Sequence, residues 1–198
     1  MIYRYFERLI DYFRTDSGDM PPPSVGRFYL HYLRQVWPSL TALLLVGLVV
    51  ALIEVALFSF LGQLIDLAQS SSSPGEFFRE HQGTLLWMAV VALLLRPLFN
   101  GVHDLLVHQT ISPGLSTLVR WQNHSYVLRQ SLGFFQNDFA GRIAQRIMQT
   151  GNALRDSALQ AIDSLWHVIV YVVSSLVLFA EADWRLTLPL LLWGIGYG

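Results

Sequence analysis

In a chain of 198 residues, 53% are hydrophobic and only 14% charged, so a water-soluble fold would lack the polar side chains to cover its surface, and a membrane protein is the first expectation. The formal net charge of -1 removes the basic balance of a nucleic-acid reader, and no nucleic-acid partner is expected. The chain holds no Cys, which excludes disulfides, thiol nucleophiles and Cys-ligated zinc; its 13 positive side chains are all Arg, which excludes a GxxxxGK(S/T) phosphate loop within it.

The opening MIYRYFERLIDYFR sets Ile2, Tyr5, Phe6, Leu9, Ile10 and Phe13 on one helical face, with Arg4, Glu7, Arg8, Asp11 and Arg14 mostly opposite. An interfacial amphipathic helix fits that pattern, and so does a helix packed on a partner protein. TDSGDMPPPS breaks it, so residues 1–23 read as an amphipathic helix and a Pro-rich linker. In VGRFYLHYLRQVW, Phe28, Tyr29, Tyr32 and Trp37 stand beside Arg27 and Arg34, a mixture suited to the headgroup zone. Residues 24–37 are therefore expected to form an elbow lying along the membrane, ahead of a membrane domain over 38–198.

From Ser39 to Ile65 the chain is nearly all apolar, with Glu54 its one ionised side chain. At about 1.5 Å per residue this stretch exceeds a hydrocarbon core of roughly 30 Å, and it is expected as the first span, over 39–66. A secretory signal would carry an apolar region of only about 7 to 15 residues, so this segment is expected to stay in the mature protein. AQSSSSPGEFFREHQG reads as a loop, and a second span follows over 84–107, interrupted and kinked at Pro97. Residues 108–156 are polar with helical rhythm, with breaks expected at Ser112-Pro113-Gly114 and around Gly133 and Gly141. A third span is expected over 158–180, with Asp163 and His167 in its first turns. EADWR is a tight loop, and residues 186–198 open an incomplete fourth span.

Five Arg precede Trp37, one lies in the first loop, five lie between His108 and Asp156, and one lies in the last loop. By the positive-inside rule the amino terminus and the 108–156 excursion face the cytoplasm. Glu54, Arg96 and Asp104 are ionisable groups at or near membrane depth, where each costs about 2.5 to 3.5 kcal/mol near a helix centre. They read either as lining for a polar pathway or as a structural ion pair, with Asp104 alternatively at the cytoplasmic interface. His103 and His108, five residues apart, lack the i, i+4 spacing of a helical metal pair and read more simply as interfacial histidines. No nucleophile, base and orienting-acid set stands out, so neither a catalytic site nor a metal site is assigned.

The segment LRQSLGFFQNDFAGRIAQRI lies between two inside-extended helices and resembles the first intracellular loop of ATP-binding cassette (ABC) exporters: a Leu-rich approach, an aromatic pair, Gly, and Arg five positions later. Here these are Phe134, Phe135, Gly141 and Arg146. The order of elbow, first span ending in GQLIDLA, outer loop, second span, loop, third span and DWRLTL turn is also similar to that family, over residues 24–198. Where the family often has an acidic residue after the loop Gly, this chain has Arg142; where it often has Asp four residues past the loop Arg, this chain has Thr150.

The resemblance implies an all-α, polytopic membrane protein whose long spans extend into the cytoplasm: the amino-terminal portion of an exporter membrane domain. It implies a transverse coupling helix in which Phe134, Phe135, Asp138, Phe139, Gly141, Arg142 and Arg146 meet a nucleotide-binding domain, while Glu54, Arg96 and Asp104 line a cavity. A positive φ at Gly141 would make that position intolerant of a β-branched residue. The implied partners are the lipid bilayer, a nucleotide-binding domain and a second half-transporter. ATP and Mg are implied for the full-length protein, with no cofactor in this chain. The implied location is the bacterial inner membrane. From another class, a small membrane anchor or scaffold, complete as written, would bind a cytoplasmic partner through residues 108–156.

Overall fold

The computed structural model describes residues 2–14, 22–70, 74–137, 140–182 and 189. Among them every regular element is helical: α1 Ile2–Glu7, α2 Val25–Leu33, α3 Trp37–Ser70, α4 Pro74–Glu80, α5 Gln82–Val90, α6 Arg96–Leu105, α7 Ser112–Val127, α8 Leu132–Asn137 and α9 Ala140–Ala182. Two π-helical turns, Val91–Leu95 and Leu106–Ile111, join α5 to α6 and α6 to α7. Three stretches are long and apolar enough to cross a membrane: Trp37–Gln69, Gln82–Val127 and Gly141–Ser174. The chain is an all-α integral membrane protein. Its fourth expected span, apart from Pro189, lies outside the described residues.

The helices are longer than the apolar runs within them. At about 1.5 Å per residue, α9 with its 43 residues extends roughly 65 Å, about twice a hydrocarbon core. The break expected at Ser112-Pro113-Gly114 does not occur, because the helix continues through it into α7. Proline at position i offers no N–H to the carbonyl at i-4 and crowds it. For Pro97 and Pro113 those carbonyls belong to Leu93 and Gln109, and both lie inside π turns. There the backbone N–H groups of Arg96 and Ser112 reach back five residues, to the carbonyls of Val91 and Val107. The wider turn absorbs each proline and lets the helix run on.

The chain divides into two compact units, Met1–Val46 with Gly101–Ile162, and Gly47–Asn100 with Asp163–Gly198. The first has a core like that of a soluble protein, built on Tyr32, Val36 and Leu43, on Ile111, Leu115, Leu118 and Val119, and on Leu154. Fully burying one such side chain contributes about 1.5 to 3 kcal/mol. Ile10 joins this core because Gly114 leaves room for it; a Cβ at Gly114 would stand 2.8 Å from Ile10 Cδ1. The amino-terminal segment thus packs on this same chain: it is helical only to Glu7, then turns. The Phe6 carbonyl accepts the Thr110 hydroxyl at 3.0 Å. Phe13 and Trp121 pack edge to face, with ring centroids 5.2 Å apart.

The second unit is the reverse. Its described buried apolar side chains are Met88, Val91 and Val170, while Leu52, Phe58, Leu61, Ile65, Leu93, Leu94 and Val173 point outward. An apolar exterior of this kind is stable only against lipid or another apolar partner.

Candidate coupling interface

The helix leading to the loop stops without a glycine. After Val127 the backbone tightens, with N–H bonds from Leu128 to His124, Arg129 to Tyr126 and Gln130 to Val127. Two side chains add bonds to carbonyls of the last turn: Arg129 Nε donates to Ser125 O at 3.0 Å, and Gln130 Nε2 donates to Tyr126 O at 3.2 Å beside the Arg129 N–H. Ser131 O then accepts the Phe134 N–H at 3.0 Å and starts α8. This six-residue helix sits between α7 and the 43-residue α9.

Phe134 and Phe135 form an edge-to-face pair, centroids 5.4 Å apart and planes at 89°. They remain 40% and 37% exposed, and Leu132 is 73% exposed, so α8 presents an apolar tip. Arg142 and Arg146, one turn apart on the exposed side of α9, flank the buried Ile143. Asp138 and Phe139 lie outside the described residues. Gly141 falls in the first turn of α9 and lacks a left-handed φ, and a Cβ there would meet nothing within 4 Å. Gly141 therefore lacks the positive φ expected of it, and backbone conformation gives no reason there against a β-branched residue.

Of the three ionisable groups expected at or near membrane depth, Glu54 and Arg96 come together, with Oε1 and Nη2 3.2 Å apart. Asp104 belongs to the other unit and lies beside His103, its Oδ1 3.8 Å from Nδ1. His108 sits in the Leu106–Ile111 turn.

Sequence reasoning passed over the polar contacts that tie α7 and α9 to each other and to the amino-terminal elements. A Cβ at Gly151 would stand 2.8 Å from Ser116 O and 3.0 Å from Arg120 Cγ, so α9 and α7 touch backbone to backbone there. Next to it Arg120 Nη2 donates to Asn152 Oδ1 at 2.6 Å. One turn further along α9, Tyr29 OH donates to Ser157 Oγ at 3.1 Å. The amide of Gln122 donates to Gln35 Oε1 at 2.8 Å and to Arg14 O at 3.1 Å. An isolated Gly within a long helical pattern, as at Gly151, was the available signal.

Two long helices, each continuous with a membrane-crossing stretch, thus converge on a short helix with exposed aromatics. The profile of the ABC transporter transmembrane region matches residues 40–197. The chain belongs to that family. A curated relative from Haemophilus influenzae, described as an uncharacterized ABC transporter ATP-binding protein, is 32% identical over 200 residues, covering 100% of this chain. The chain spans 32% of the length of that relative. No solved structure matches it. Within this ABC transporter membrane region, α8 occupies the turn between the second and third membrane-crossing stretches.

Proposed function

We propose that this chain is the amino-terminal part of the membrane domain of an exporter-type ABC transporter, and that α8 is its coupling helix. The observation that carries the reading is the apolar tip of α8, exposed at the end of two long helices that continue into spans. Interfaces centre on such aromatics, with charged groups toward the rim. In this reading Phe134, Phe135 and Phe139 enter a groove of a nucleotide-binding domain, Gly141 starts α9 in open space, and Asp138, Arg142 and Arg146 frame the contact. Movement of that domain then reaches the spans through α7 and α9. The family match weighs for this over a stand-alone anchor.

ATP and Mg act at the nucleotide-binding domain. A chain without Lys supplies no phosphate loop of its own. A second half-transporter completes the pathway, with the Glu54–Arg96 pair and Asp104 contributing polar lining. The Arg distribution supports a cytoplasmic amino terminus and a cytoplasmic α8, and the bacterial relative supports an inner-membrane location.

The test is Phe134→Ala and Phe135→Ala in the complete transporter. Losing an interface aromatic typically costs about 2 kcal/mol or more. Both variants should insert normally and lose most of the stimulation of ATP hydrolysis by substrate. Normal stimulation per folded molecule in both would refute the coupling role.

A further inference from the structure

The face of α2 that turns away from the core carries a pattern that the coupling reading does not use. Arg27 and Leu30 in α2, Arg34 at its C-terminal cap and Trp37 at the start of α3 follow one another at three- and four-residue intervals and are all exposed. On the opposite face Tyr32 and Val36 are buried in the core. Among the described residues, neither guanidinium has a carboxylate partner. Trp37 is also the first residue of α3, the first stretch long and apolar enough to cross a membrane, so the stripe ends where that stretch starts.

We propose that this stripe is a binding surface for the headgroups of anionic phospholipids. Leu30 and Trp37 enter the boundary region, where an aromatic ring sits well at headgroup level, while the two Arg side chains reach lipid phosphates. Guanidinium groups suit phosphate because their N–H donors match its oxygens in pairs. A protein partner would have to supply acidic groups while itself lying at the membrane surface. An anionic bilayer supplies them at that level without further structure. The proposal rests on α3 being a span and holds whether or not α8 couples.

The chain has no Cys, so a single Gly26→Cys carries one environment-sensitive fluorophore. Gly26 lies one turn before Leu30, and a Cβ there meets nothing within 4 Å. The complete protein, with any Cys outside residues 1–198 replaced by Ser, is reconstituted into phosphatidylcholine vesicles with or without phosphatidylglycerol, and the probe is quenched with neutral acrylamide. Quenching should fall roughly twofold when phosphatidylglycerol is present, and high salt should reverse the change. Arg27→Gln with Arg34→Gln should abolish the lipid dependence, whereas Arg27→Lys with Arg34→Lys should keep it. Equal quenching in the two vesicle types would overturn the proposal. So would a lipid dependence that survives the Gln pair, which would mark a different source of attraction. A second probe at Leu52 separates the premises. Leu52→Cys labelled by a water-soluble maleimide would overturn the span and the surface together; Leu52→Cys protected, with equal quenching of the probe at Gly26→Cys, would overturn the surface alone.

Discussion

Gly151→Ala tests the α7–α9 contact through which the proposed coupling would run. The new methyl would stand 2.8 Å from Ser116 O, which is backbone and does not swing aside, and 3.0 Å from Arg120 Cγ. Relieving it means parting the helices, an overpacking cost of about 1 to 3 kcal/mol. The same separation stretches the 2.6 Å bond from Arg120 to Asn152. A hydrogen bond to a charged group contributes about 1.5 to 3 kcal/mol, so partial loss adds roughly 1 kcal/mol. Against this, replacing Gly by Ala inside a helix stabilises by about 1 kcal/mol. The net is a loss of about 2 kcal/mol, which lowers the melting midpoint of a chain this long by roughly 4 to 8 °C. The control is Gly141→Ala, where a Cβ meets nothing and only the gain in helix propensity remains. That variant should melt at or slightly above the parent. Thermal unfolding of purified protein in detergent, followed by circular dichroism, measures both. A Gly151→Ala midpoint equal to or above that of Gly141→Ala would refute the close contact.

Three further outcomes are expected. Cys introduced singly at Tyr3, Gly75 and Gln130 should react with an impermeant maleimide in intact cells only at Gly75; labelling at Gln130 would invert the orientation. Glu54→Gln leaves Arg96 without its carboxylate at membrane depth, where an unmatched charge costs about 2.5 to 3.5 kcal/mol, so folded yield should fall; exchanging the pair, Glu54→Arg with Arg96→Glu, should recover it. Burial, and then the nearby Glu7 carboxylate, push the Tyr12 phenol above its ordinary value. Its neutral form is the one favoured in the fold, so its stabilisation is complete below a pH of about 10 and lost as pH rises through the raised value. Melting measured from pH 8 to 11 should therefore fall more steeply for the parent than for Tyr12→Phe.

The membrane character of the chain was legible because hydrophobic length is a one-dimensional property: α3 and the stretch from Gln82 appear as apolar runs before any contact is known. The aromatic pair was legible too, since Phe134 and Phe135 stand in a polar segment where no local core could claim them. A proline misled where its effect depended on the neighbouring backbone. Pro113 read as a break, but the helix runs on through it after a π turn, and no residue type in Leu106–Ile111 announces an i+5 hydrogen bond.

What escaped sequence reasoning was contact between residues distant along the chain. Arg120 and Asn152 are 32 positions apart, Gln35 and Gln122 87 apart, and Thr110 and Phe6 104 apart. Helical periodicity assigns each to a face without saying which face it meets. The two glycines show the difference. Gly141 sits in the quoted motif and was expected to hold a positive φ, yet it occupies an ordinary first turn in open space. Gly151 sits in no motif, and it is where α9 comes within a methyl's breadth of α7. If the two helices carry movement between α8 and the spans, their contact must resist sliding. Backbone touching backbone at Gly151, with the Arg120–Asn152 bond beside it, holds the register with little help from side-chain bulk. The motif therefore marks where a partner would be met, and the unmarked glycine marks where the force would be transmitted.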